Sequence, residues 1–337
     1  MTNILVTGCA GFIGAATTYE LLKQGHDVRG IDNLNDYYSI KLKMSRLNRL
    51  IDHPNFSFKK IDICDLNSLS SVFSEFAPTI VIHLAAQAGV RQALSNPHVY
   101  ADSNLVGFLN VIDESRKSEV SHFVFASSSS VYGLNKSVPF TEYHDVQHPI
   151  SLYAATKLAN EAMAHAYSYS FNLRCSGLRF FTVYGPWGRP DMAPMKFADA
   201  ILKKNPIELY NNGDHYRDFT YIDDIVNGII GLAMSECMDG SENTLKDNPG
   251  SSPYPLQLFN IGGNIPVKIT EFLDLLEEFL GKKTTRILSP RQIGDVDITH
   301  ASTDKIFSAV GWKVKTDIAT GISNFASWAK ENPDLLC

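Results

Sequence analysis

The chain has 337 residues, 44% of them hydrophobic and 20% charged. That is enough to bury a sizeable core without covalent staples, and it excludes a disordered or fibrous protein. A formal net charge of -6, with 36 Asp and Glu against 30 Lys and Arg, argues against nucleic acid as a partner, because holding a phosphate backbone takes clustered cations. No apolar run approaches the roughly 18 residues that span a bilayer, so no membrane association is expected.

Met1-Thr2-Asn3 runs straight into a strand-like segment without the basic opening of a signal peptide, which makes a cytoplasmic location the expectation. Cys9, Cys64, Cys175, Cys237 and Cys337 are odd in number, far apart and without a C-x-x-C pair. Reduced thiols are expected, with neither a disulfide framework nor a metal site. The histidines His83, His98, His144 and His148 likewise have no ligand spacing and read as polar fill.

In chain order, short apolar runs predict strands at Ile4 to Thr7, Asp27 to Ile31, Phe56 to Ile61, Thr79 to Leu84, His122 to Ala126 and Arg174 to Phe180. Their near-continuous apolar character suits strands covered on both faces. Between them, apolar residues recur at helical spacing, as in Ile13 to Lys23 and Leu152 to Tyr169. This alternation predicts an α/β protein with a doubly wound parallel sheet. The rhythm breaks at Gly185-Pro186-Trp187-Gly188-Arg189-Pro190. The expected division is a dinucleotide domain over 1–183 and a smaller α/β substrate domain, mainly 184–337, with some segments returning to the first. Asp239 to Pro255, rich in Gly, Ser, Asn and Pro, reads as an exposed loop.

Thr7-Gly8-Cys9-Ala10-Gly11-Phe12-Ile13-Gly14 puts three glycines between the first strand and the first helix. That arrangement allows a tight turn, a close approach of backbone to a pyrophosphate and close packing of helix on strand. The phosphates would lie over the helix N-terminus, where free N–H groups favour negative charge. Asp32 ends the second strand, where a carboxylate accepts hydrogen bonds from a ribose and repels a 2'-phosphate. The following Asn33-Leu34-Asn35 offers no arginine to hold such a phosphate, so NAD is expected over NADP. Asp62, ending the third strand, stands as either a contact to the adenine edge or a solvated loop carboxylate. Ala85-Ala86 are small enough to let a cofactor lie across the strand ends.

Tyr153 and Lys157 stand four apart on a predicted helix, so both reach one pocket. Ser128 ends the preceding strand and can join them. Oxidising a secondary alcohol requires removing a hydroxyl proton as well as a hydride. A free tyrosine with a pKa near about 10 is a poor base at neutral pH. Lys157 and a positive nicotinamide ring would favour the phenolate.

TGCAGFIG, HLAAQAGVR, ASSSSVYG, YAATK and RDFTYIDD together resemble the extended short-chain dehydrogenase/reductases that act on nucleotide sugars. GIDNLNDYY, DSNLVGFLNV, SLYAATK and RFFTVYGPWGRPDM are most similar to the UDP-glucuronate 4-epimerases. The resemblance covers nearly the whole chain. It implies a Rossmann NAD domain, a nucleotide-sugar domain, UDP-glucuronate and UDP-galacturonate as the interconverted pair, and a homodimer formed through helices of the NAD domain.

By similarity, Ser128, Tyr153 and Lys157 match the catalytic positions. Gly8, Gly11, Gly14, Asp32, Asp62 and Ala85 match cofactor contacts, with Phe12, Ile13, Asn33, Ile63, Leu84 and Ala86 beside them and Tyr153 and Lys157 at the nicotinamide. Thr182, Arg189, Arg217 and Asp295 match positions that hold the UDP-sugar, with Ser129 and Ser130 near the sugar. Arg189 and Arg217 suit a diphosphate because guanidinium is a planar multidentate donor; Arg91 stands as either a surface cation or a phosphate contact.

Arg291-Gln292-Ile293-Gly294-Asp295 departs from the family in lacking a proline before the Gly-Asp pair, which puts a diphosphate role for Gln292 in question. Related dehydratases carry Asp-Glu where this chain has Ser129-Ser130, so elimination of water is not expected. The residues leave open a 4-epimerase of neutral UDP-sugars, a UDP-glucuronate decarboxylase and, from another class, a non-catalytic NAD-sensing protein. A sensor would need the glycines but not the Ser128, Tyr153 and Lys157 set.

Overall fold

The computed structural model describes residues 1–90, 92–236, 252–291 and 296–336. Arg91, Cys237, Gln292, Asp295, Cys337 and most of the expected 239–255 loop lie outside the described residues.

The first half of the chain alternates strand and helix: β1 (Asn3–Thr7), α1 (Phe12–Lys23), β2 (Asp27–Asp32), α2 (Ile40–Leu47), β3 (Phe56–Lys60), α3 (Leu66–Phe76) and β4 (Ile80–His83). There follow α4 (Pro97–Ala101), α5 (Gly107–Lys117), β5 (His122–Ser128), α6 (Leu152–Phe171) and β6 (Cys175–Phe180). The remainder is β7 (Thr182–Tyr184), α7 (Ala193–Lys203), β8 (Ile207–Tyr210), β9 (Tyr216–Tyr221), α8 (Ile222–Met234), β10 (Leu256–Ile261), β11 (Pro266–Lys268), α9 (Ile269–Leu280), β12 (Arg286–Ser289), α10 (Asp304–Val310) and α11 (Ile318–Glu331).

Seven strands form one sheet in the order β10-β6-β5-β4-β1-β2-β3, every neighbouring pair parallel. All residues of β4 and β6 are buried, as strands with helices on both faces must be. On one face Leu69 and Phe73 of α3, Phe108 and Ile112 of α5 and Ala164 of α6 pack on Leu5, Val81 and Phe123. On the other, α1 and α8 join Ile4, Val6 and Val124 in an apolar cluster that continues into α9 and α11. The predicted doubly wound sheet is therefore present. Its seventh strand, β10, lies beyond the six that sequence periodicity picks out.

The rest of the C-terminal half builds two smaller sheets, β11-β9-β7 and β12-β8. Thr182 and Tyr184 on β7 pair with Phe219 and Tyr221 on β9. Phe219 stacks on Phe272 of α9 with ring centroids 4.4 Å apart. This packing fixes β7 immediately after β6, so Thr182 sits at the carboxyl end of the large sheet. Among the described residues, no helix is long and apolar enough to cross a membrane.

Candidate active site

A cleft of about 390 Å³ lies over the carboxyl ends of the strands, where open parallel sheets bind their ligands. Gly8, Gly11 and Gly14 line it at one end. Gly8 has φ +71, and a Cβ there would lie 2.8 Å from the Ala85 nitrogen; at Gly14 a Cβ would come within 2.1 Å of the Gly8 oxygen. Side chains at these positions would push apart β1, β4 and the start of α1. Gly11, the N-cap of α1, supplies no side-chain cap, which leaves the helix N-terminal N–H groups for a ligand in the cleft.

The Asp32 carboxylate is held by N–H donors from Ala10 at 3.1 Å and Leu34 at 2.8 Å. Burial raises its pKa, opposed by those backbone bonds and by Lys43 and Arg46. Asn33 donates to Asp62 at 2.8 Å, and a second Asp62 oxygen accepts the Cys64 N–H at 2.8 Å. Beneath the glycine turn, Thr7 Oγ1 accepts the N–H groups of Leu84 and Ala85 and meets His83 Nδ1 at 2.8 Å. Phe12, Ile13, Asn33, Asp62, Ile63, Leu84, Ala85 and Ala86 all face the same cleft.

At the other end β5 carries Ser128 to the cleft floor. Its Oγ accepts the Ser130 N–H at 3.2 Å and lies 3.1 Å from Ser130 Oγ. α6 begins where Ser151 Oγ accepts the Ala154 N–H at 3.1 Å, a side-chain cap on an otherwise orphaned donor. One turn on, Tyr153 and Lys157 line the cleft together, with the Lys157 ammonium 6.0 Å from the Tyr153 ring centroid. Lys157 Nζ donates to the Ala126 carbonyl at 2.8 Å.

Burial raises the Tyr153 pKa, while the positive charge of Arg189 and a hydrogen bond from Ser128 favour the phenolate. Burial lowers Lys157 to about 8 against the pull of Glu161. Arg189 thus joins Lys157 as a cation at the phenol. Its Nε and Nη2 donate to the two carboxylate oxygens of Asp191, each at 2.8 Å, and Tyr37 donates to the same carboxylate at 3.2 Å.

Ser129, Ser130 and Thr182 border this end of the cleft beside Arg189. Arg217 is not among the cleft-lining residues; it lies on β9 and donates to the carbonyls of Tyr216 at 3.0 Å and Asp297 at 3.4 Å. Sequence reading overlooked Lys43, whose ammonium lines the cleft and donates to the Asn35 carbonyl and side-chain oxygens at 2.6 Å each. It also overlooked a π-helical turn at Asp102–Val106. There Asn104 receives the Gln87 N–H at 2.8 Å and donates to Gln87 O and Thr156 Oγ1 at 3.0 Å each, pinning the wall of the cleft to α6. Such turns cluster at functional sites, yet of DSNLVGFLNV only Asn104 signals this one in sequence.

A doubly wound sheet with a glycine turn facing a Ser-Tyr-Lys set across one cleft defines a dinucleotide-dependent short-chain dehydrogenase/reductase. Residues 4–243 match the NAD dependent epimerase/dehydratase family, and the chain belongs to it. Protein CapI of Staphylococcus aureus is 48% identical over 98% of both chains. UDP-glucuronate 4-epimerase 2 of Arabidopsis thaliana is 44% identical over 97% of this chain and 75% of its own length. Among solved structures, UDP-glucuronic acid 4-epimerase from Bacillus cereus, in complex with UDP-glucuronic acid and NAD, superposes with a TM-score of 0.86 at 30% identity, covering 98% of this chain and 99% of that one.

Proposed function

We propose that the chain is an NAD-dependent isomerase that interconverts UDP-glucuronate and UDP-galacturonate by inverting C4. The observation that carries this reading is the meeting of Ser128, Tyr153 and Lys157 with Ser129, Ser130, Thr182 and Arg189 in the cleft that begins at the glycine turn. The similarity to UDP-glucuronate 4-epimerases over the whole chain supports the choice of sugar.

The glycine turn, the uncapped start of α1 and the anchored Asp32 fit the diphosphate and adenosine ribose of NAD, with Asn33, Asp62 and Ile63 toward the adenine and Ala85 and Ala86 along its length. When bound, NAD supplies reversible hydride acceptance at the sugar carbon. Tyr153 takes the proton of the 4-hydroxyl and returns it after the sugar has turned over, with Ser128 holding that hydroxyl and Lys157 and Arg189 favouring the phenolate. The 4-keto uronate between the two half-reactions is a β-keto acid. It loses carbon dioxide when its carboxylate bond stands perpendicular to the ketone plane. Ser129, Ser130 and Thr182 bind the carboxylate through neutral hydroxyl donors and keep it out of that geometry. Asp191 neutralises Arg189 until the anionic substrate shares its donors; Arg217 and Asp295 serve the diphosphate side.

We further read the enzyme as a cytoplasmic homodimer. Leu109 on α5 and Leu152, Tyr169 and Phe171 on α6 are exposed apolar side chains on two helices of the large sheet's face, available to a second copy. Sedimentation of the purified chain tests this: a monomer at micromolar concentration contradicts it. The test of function is incubation with UDP-glucuronate and separation of products. UDP-galacturonate with no net release of reduced cofactor is expected. Pentose as the main product, or no product, overturns the reading.

A further inference from the structure

Tyr153, Lys157 and Glu161 are spaced four apart on α6 and so share one stripe of the helix. Three consecutive residues of β5 meet this stripe: Ser128 bonds to Tyr153, Ala126 O accepts from Lys157 at 2.8 Å, and Ser127 Oγ donates to Glu161 at 2.5 Å. The Glu161 carboxylate is clamped by Arg179 of β6, from Nε at 2.9 Å and from Nη2 at 2.8 Å. Lys157, Glu161 and Arg179 are all buried, exposing 2%, 5% and 2% of their surface. Arg179 is braced from behind, its Nη1 donating to Tyr132 OH at 3.1 Å and that hydroxyl donating to Asn260 at 2.6 Å.

A buried ion pair gives little net stability over well-packed apolar residues, because desolvation offsets the Coulomb gain. Its placement one helical turn behind Lys157 has another consequence. In a low-dielectric interior a neighbouring charge shifts protonation strongly.

We propose that Glu161 is a positioning residue of the proton-transfer pair, its Arg179-clamped carboxylate keeping Lys157 in the ammonium form beside Tyr153. The proposal rests on the reading of Tyr153 and Lys157 as that pair. Burial lowers Lys157 to about 8 even with Glu161 raising it, so the ammonium is held only narrowly at neutral pH. From β4 the buried His83 faces the same ammonium and stays neutral, lowered to about 3 by burial and by Lys157. From the loop after β7, Arg189 acts on Tyr153. Arg179 from β6 and Tyr153 and Glu161 from α6 itself complete the ionisable surroundings. Among these groups only Glu161 supplies negative charge to Lys157.

The test is the pH profile of kcat/KM for epimerisation. Glu161→Gln removes the negative charge and leaves the Arg179 cation unbalanced, so the alkaline limb is expected to move toward lower pH by about one unit or more. Arg179→Gln removes the opposing cation and moves the limb toward higher pH. Glu161→Asp keeps the charge and the wild-type limb, even where kcat falls. A merely structural ion pair would lower kcat in all three variants without moving the limb. Limbs that stay in place, or that move the same way in Glu161→Gln and Arg179→Gln, overturn the proposal; should Glu161→Gln not fold, the upward shift in Arg179→Gln decides alone. Full turnover in Tyr153→Phe would instead remove the underlying reading. Inactive Tyr153→Phe and Lys157→Met variants combined with unmoved limbs would remove only the role of Glu161.

Discussion

The Arg46 guanidinium donates to the Trp187 carbonyl oxygen from two nitrogens, Nε at 3.0 Å and Nη2 at 2.7 Å. The same side chain, fully buried, donates to Gly188 O at 2.8 Å, Ala10 O at 3.0 Å and Tyr38 OH at 2.7 Å. One residue of α2 therefore ties the glycine turn to the loop that carries Arg189. Arg46→Met leaves three buried carbonyl oxygens without this donor, and a destabilisation of roughly 3–5 kcal/mol is expected. Urea unfolding measures it, and NAD affinity and the KM for the sugar nucleotide should both worsen. A variant as stable as wild type would show that the carbonyls find other donors.

Tyr153→Phe removes the proposed proton acceptor while keeping the ring that packs edge-on to Tyr100, with centroids 6.4 Å apart. Turnover is expected to fall by roughly 10²–10⁴-fold, the usual worth of a positioned acid-base group, with little change in NAD affinity. Steady-state rates alongside NAD titration separate the two; parallel losses in both would point to a collapsed pocket.

The proposed reading makes Asp32 the residue that selects NAD over NADP. Lys43 and Arg46 lie near enough to act on its charge. Arg46 already donates to four neighbouring groups and Lys43 donates to Asn35. Asp32→Asn should weaken NAD binding and narrow the preference for NAD over NADP, because it removes the charge that repels a 2'-phosphate. Competitive titration with the two cofactors checks this, and an unchanged ratio would place the selectivity elsewhere.

Thr182 stands at the start of β7 and lines the cleft with Ser128, Tyr153 and Lys157. Thr182→Val keeps the shape and removes a hydroxyl donor, so the share of UDP-pentose formed from UDP-glucuronate should rise. Product chromatography reads the ratio directly, and a ratio equal to that of wild type would exclude Thr182 from carboxylate control.

Acid should destabilise the fold through two buried histidines. Burial lowers both His83 and His122 from the ordinary 6.5 to about 3. As pH drops below about 6.5 the unfolded chain takes up protons at these sites while the folded chain does not until near 3, so unfolding is favoured progressively across that window. The stability they lend is complete above about 6.5. His122 bonds to Ser176 Oγ at 2.8 Å, and His122→Gln should flatten the pH dependence of the urea midpoint between pH 6.5 and 4. An equally steep dependence in the variant would assign the effect to other groups.

Much of the site was legible because its signals are local. The Gly8, Gly11 and Gly14 turn and the four-residue step from Tyr153 to Lys157 each express a geometry set within two turns of chain. The strand ends that carry Asp32 and Ser128 followed from the alternating pattern, whereas β3 stops at Lys60 and Asp62 lies in the turn beyond it. What stayed hidden depends on distant segments meeting. Lys43 reaches the cleft only because α2 folds back over Asn35, and Arg179 finds Glu161 only because β6 lies beside β5. Arg189 and Arg217 carry the same guanidinium, yet among the described residues Arg189 lines the cleft while β9 carries Arg217 to the Asp297 carbonyl, a difference of placement that no local pattern shows. β10 escaped notice because its six residues, four apolar ones interrupted by Gln257 and Asn260, are too short and irregular to carry a periodicity of their own.

That late strand has a bearing on biosynthesis. β6 is flanked by β5 on one side and by β10 on the other, and β10 is not complete until Ile261. A ribosome-bound chain that has already made the glycine turn, the Ser128, Tyr153 and Lys157 set and six strands still presents a bare β6 edge for some 80 further codons, from Phe180 to Ile261. Exposed edges invite pairing with other chains. Translation arrest or proteolysis within that interval should therefore release fragments that aggregate, although Ser128, Tyr153 and Lys157 have already been synthesised.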